Sequence, residues 1–90
     1  MYAAVVAANI PGGVNDARET TLHEQIVPMV SAAPGFVAGY WLDAVDDHGL
    51  SVVVFEDEAS ARAAAPPAAT DMGNGVTIES VEFRLVRAHA

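Results

Sequence analysis

Apolar positions along this chain follow two rhythms, and the changes between them mark its elements. Tyr2 to Ile10 is almost continuously apolar, rich in Val and Ala, and stops at Pro11-Gly12-Gly13, the pattern of a buried strand followed by a turn. From Asn15 the period lengthens. Ala17, Leu22, Ile26, Met29, Val30 and Ala33 recur at three and four residues and predict a helix with one apolar stripe. Asp16 and Glu19 have capping-box spacing at its start, and Pro28 deprives the Glu24 carbonyl of its partner, so a kink or an opened turn is expected there. Pro34-Gly35 ends the helix. A second strand follows, then a turn at Asp46-Asp47-His48-Gly49, a third strand over Leu50 to Glu56, and a second helix over Asp57 to Ala65 with Asp57 as its cap. Thr70 to Gly75 is read as an irregular connector. Val76 to Val86 is the last strand, whose apolar parity switches near Glu79 or Ser80 and so predicts a bulge.

The order is βαββαβ. It predicts an α+β protein of ferredoxin-like topology over residues 1–90, a single domain with a four-stranded antiparallel sheet and two helices on one face. Strict alternation from Phe36 sends Phe36, Ala38, Tyr40 and Leu42 toward the helices and Val37, Gly39 and Trp41 to the other side. The first three strands all carry apolar residues on both faces: Val5 and Val6, Phe36 and Trp41, Val53 and Val54. An apolar sheet face that the chain's own helices do not cover calls for a partner, and a homodimer with Val37, Trp41 and Val54 at its seam is the expectation.

Charge narrows the partners. Twelve carboxylates stand against four arginines and no lysine, a net charge of −8, which argues against nucleic acid and anionic membranes. Without lysine there is no Schiff-base chemistry, and without cysteine no disulfide, thiolate nucleophile or thiolate metal site. No apolar run reaches the roughly 20 residues of a membrane span, and the first residues lack a cationic signal region, so the expected location is the cytoplasm.

With a helix-ending Pro-Gly-Phe at 34–36 and Val-Val-Val-Phe-Glu-Asp-Glu-Ala-Ser-Ala-Arg at 52–62, this layout resembles the dimeric α+β-barrel superfamily. Within it, the chain is similar to small antibiotic-biosynthesis-monooxygenase-like proteins. The resemblance implies a barrel formed across a dimer, with a pocket in each subunit between sheet and helices. Haem-degrading members use an asparagine on the first strand, a tryptophan at the end of the third and a histidine on the second helix. Here Asn9 matches the first, Phe55 stands in place of the second, and the second helix has no histidine, so no haem is expected. Other members oxygenate polycyclic phenols without a cofactor, using asparagine, tryptophan, tyrosine or arginine around an apolar cavity. Asn9, Tyr40 and Trp41 are of those types.

Candidate catalytic residues are therefore Asn9, whose amide suits a substrate oxygen, His23 on the flank of the helical stripe, and Tyr40. Each has a plainer reading, as a turn-starting residue, a solvated helix flank and a core tyrosine. Phe36 and Phe55 are the expected pocket wall. His48 lies in an acidic turn, but adjacent turn residues do not converge on one ion, and no metal or other cofactor is expected. Two functions compete. One is a dimer that binds a small apolar or aromatic molecule, as a cofactor-independent monooxygenase or isomerase; the other is a non-catalytic stress-related or interaction barrel in which only the dimer matters.

Overall fold

A computed structural model describes all ninety residues, Met1–Ala90. It is an α+β structure with one antiparallel sheet of five strands: β1 (Tyr2–Asn9), β2 (Phe36–Val45), β3 (His48–Phe55), β4 (Asp71–Gly73) and β5 (Val76–Leu85), in the order β2-β3-β1-β5-β4. The fifth strand corrects the four-stranded expectation. Asp71–Gly73 is not an irregular connector but half of a hairpin, turned by Asn74 and Gly75, both at positive φ. Asn-Gly is a strong two-residue hairpin signal, and the strand it closes is short enough to be hidden in a polar stretch. The β2–β3 hairpin turns in the same way, on Asp46 and Asp47 at φ 51° and 65°, so His48 and Gly49 already belong to β3.

A helical run then crosses one face of the sheet in three parts: α1 (Asp16–Thr21), a π-helical turn (Leu22–Ile26) and α2 (Val27–Ser31). Its cap is Asn15, one residue before the expected start, whose side chain accepts from the Arg18 amide at 2.9 Å. The π turn sits where Pro28 removes a donor: the Val27 N–H reaches back five residues to the Leu22 carbonyl, and the opened turn absorbs the missing bond. The second helix, α3 (Glu58–Ala64), is capped by Asp57 as expected, its carboxylate accepting from the Ser60 amide at 2.8 Å. That bond, with a second from the Ser60 side chain, holds the Asp57 carboxyl below its ordinary value. No helix is long and apolar enough to cross a membrane.

The two outer long strands carry bulges. On β5 the pairing with β1 steps from Ser80 to Ile78 and leaves Glu79 out, where the parity of the sequence predicts it. On β2 the pairing with β3 steps from Phe36 to Ala38 and leaves Val37 out. This second bulge resets the alternation. Phe36, Gly39 and Trp41 share the helix side, across from Phe55, Val53 and Ser51, while Ala38 and Tyr40 lie on the outer face across from Val54 and Val52, and the next pair, Leu42 and Leu50, borders the cavity. The expected sides of Tyr40 and Trp41 are thus exchanged. The core is small and lies under α3, where Ala4, Val53 and Phe55 of the sheet meet Ala61, which has no exposed surface.

Candidate functional site

Between the helical run and the sheet lies a cavity of about 270 Å³. Its floor is the helix side of the central strands: Ala4, Val6 and Ala8 of β1, Gly49, Ser51, Val53 and Phe55 of β3, Trp41 of β2 and Ile78 of β5. The roof is the helical stripe of Leu22, Ile26, Met29 and Val30, and Ile10, Val14, Leu42, Leu50, Met72 and Ala64 to Pro66 complete a lining that is partly open to solvent. Small residues make the hollow. Ala8 and Ser51 lie beneath the run, whereas the Ile10 side chain covers Gly49, and a Cβ at Gly39 would stand 2.8 Å from the Trp41 ring, so the indole needs glycine at that position to lie where it does.

Only two polar side chains reach the wall, Ser51 and Arg18. Arg18 is held by backbone carbonyls alone. Its Nη1 donates to Gly13 O at 2.7 Å and to Pro11 O, while Nε and Nη2 both donate to Asn74 O, at 3.2 and 2.7 Å. The guanidinium thereby ties the β1–α1 loop to the β4–β5 turn at one end of the cavity. Its neighbour Glu19 turns instead to His23, 3.5 Å away. Two of the other three arginines find carboxylates: Arg62 bonds Glu58 at 2.7 Å and lies over the Phe83 ring, and Arg84 bonds Glu82 at 3.1 Å.

The expected catalytic residues do not meet. Asn9 ends β1, aligned with His48 and Thr77 in the flanking strands, and alternation from Ala8 turns it to the outer face. His23 is exposed on the π turn, and Tyr40 is 62% exposed on the outer face; none of the three lines the cavity. Of the expected wall residues, Phe55 lines the cavity with 1% exposure, and Phe36 supports it from behind, edge-on at 6.2 Å. The expected seam also divides. Val54 is on the outer face, Val37 is exposed at the bulge, and Trp41 belongs to the cavity wall.

Another polar cluster stands apart from the cavity. His48 Nδ1 and Glu79 Oε1 are 2.6 Å apart and clamp the start of β3 to the β5 bulge. No three His, Asp or Glu side chains are placed to hold a metal ion. What the cavity offers chemically is desolvation, aromatic contact from Trp41 and Phe55, and one cation at its end; no carboxylate, histidine or tyrosine on its wall can move a proton.

Arg18 is the residue that sequence reasoning missed. Its signal was slight: a cation four residues before Leu22, in line with an apolar stripe, in a chain with few cations. Compared with known proteins, the chain matches no family model, no curated protein and no solved structure.

Proposed function

We propose that this protein binds a small apolar molecule, aromatic in the best-fitting case, in the cavity between its sheet and its helical run, and that it does so as a homodimer of ferredoxin-like α+β subunits. The cavity itself carries the reading. Its volume of about 270 Å³ is nearly twice the ~150 Å³ that admits benzene in an otherwise packed core, and its apolar lining would gain on contact with a ligand what it lacks against water. A barrel serving only as a dimerisation module has no need of it. The cofactor-free oxygenase implied by the resemblance requires a base for its substrate, and the wall supplies none, so binding is favoured over turnover.

The dimer rests on the outer face. Tyr40 is 62% exposed there, beside Val52 and Val54, and only eight of the ninety residues are buried, a core that gains much from a partner. The strand order β2-β3-β1-β5 is the one a ferredoxin-like arrangement requires, with β4 added at the edge.

Trp41 is the only tryptophan and lies on the wall, so it reports the cavity directly. Titration with naphthalene should change its emission saturably, and Ala8→Leu, which fills the floor, should remove the response; emission that stays constant through the titration overturns the reading. Light scattering should give about twice the 9.3 kDa chain mass, reduced to one chain in Tyr40→Asp. A wild-type monomer would end the dimer proposal and leave the cavity untouched.

A further inference from the structure

We infer that the molecule held in the cavity is an acid: an apolar, ring-bearing carboxylate whose head binds Arg18 while its body fills the space beneath the helical run. The inference rests on the binding reading above and adds the ligand's charge. A chain with a net charge of −8 has carboxylates to spare, yet none pairs with Arg18. The guanidinium is fixed by three carbonyl groups, from Pro11, Gly13 and Asn74, which orient it without neutralising it. Nε, both Nη1 hydrogens and one Nη2 hydrogen are committed to them. One Nη2 hydrogen remains. A fixed cation with one donor to give, at the end of a wall otherwise apolar save for Ser51, matches an amphiphilic anion. Three features act together: the carbonyls preorganise the fork, the apolar wall lowers the local dielectric, and the ligand's charge is the counter-ion the protein omits.

A matched pair of probes separates charge from shape. 2-Naphthoate and 2-naphthamide have nearly the same outline, and only the first is an anion at pH 7. Calorimetric titration of the wild-type protein should show naphthoate binding tighter by about tenfold or more, the scale of one charge-assisted hydrogen bond in a partly desolvated site. Arg18→Gln should abolish that preference, so that naphthoate binds no tighter than naphthamide whatever affinity both lose with the broken latch, and Arg18→Lys, which keeps the charge but not the fork, should retain part of it. Equal affinity for the two probes in the wild-type protein overturns the inference and leaves apolar binding standing. A preference that survives in Arg18→Gln also overturns it. If neither probe binds, the cavity reading fails and this inference with it. Should Arg18→Gln not fold, the wild-type comparison and Arg18→Lys still decide the question.

Discussion

One face of this sheet is covered in two ways. Across β1, β3 and β5 lies α3, an alanine-rich helix whose Ala61 sits directly on Ala4, Val53 and Phe55 with no exposed surface. Further along the same face, beneath Leu22, Ile26 and Met29, the floor falls away to Ala8 and Ser51, and the run spans a hollow. Helix-to-sheet distance follows the side chains on both sides. Small against small lets α3 approach closely. The other run is held at its ends, by the Arg18 bonds to the two loops at one and by α2 against β2 at the other, and the π turn lies between them. A hollow that survives next to a tight core in so small a chain is built by supports at its rim.

Truncating the packed half should give the largest effect. Phe55→Ala removes the largest fully buried side chain and an edge-on aromatic partner, at an expected cost of about 3–5 kcal/mol. Urea unfolding should show it as a lower midpoint at unchanged slope. A cost below about 1 kcal/mol would mean that this half is no better packed than the other.

One substitution made in each half sharpens the contrast. Ala61→Leu forces a side chain into filled space and should destabilise by about 1–3 kcal/mol. Ala8→Leu enters the hollow, so its stability should equal or exceed that of the wild type while affinity for an apolar ligand falls. Equal destabilisation by the two would collapse the comparison.

In both halves the legible features were those that answered to a local signal. Pro28 announced the π turn through its missing donor, Asp57 announced α3 as a cap, and the exchange of parity between Val76–Ile78 and Val81–Leu85 announced the Glu79 bulge. Features without such a signal stayed hidden. On β2 both faces are apolar, so a bulge at Val37 leaves no trace in the hydrophobic pattern, and one skipped residue was enough to exchange Tyr40 and Trp41. The Arg18 latch was invisible for a different reason: carbonyl acceptors belong to every residue, and Asn74 is 56 positions away. The candidate site followed the same division. Phe55 sits at the end of a strand whose neighbours fix its side, whereas Asn9, His23 and Tyr40 were grouped by chemical type without a register to say which side they faced.

Gly39 tests the support of the hollow at its other end. A methyl group there meets the rim of the Trp41 ring at 2.8 Å, and the ring is free to move because its far side borders open space. Gly39→Ala should therefore cost little stability, within about 1 kcal/mol as the indole shifts, yet change Trp41 emission and weaken ligand binding. Unchanged emission would place the ring elsewhere.

The smallest effect belongs to the rim of the packed half. Asp57 accepts from the Ser60 backbone amide and side chain, and these bonds hold its carboxyl below the ordinary 3.8. A depressed carboxylate binds protons more readily in the unfolded chain, so its contribution is complete above pH 3.8 and is lost as pH falls below that toward the folded value. Asp57→Asn keeps a side-chain oxygen for the Ser60 amide and cannot titrate. The variant should accordingly be slightly less stable than wild type at pH 7, and the gap should close on acidification below pH 3.8, read as a difference in urea midpoints. If the gap were the same at both pH values, the carboxylate's charge would contribute nothing to seating α3. The close approach of Ala61 to the sheet would then rest on packing alone.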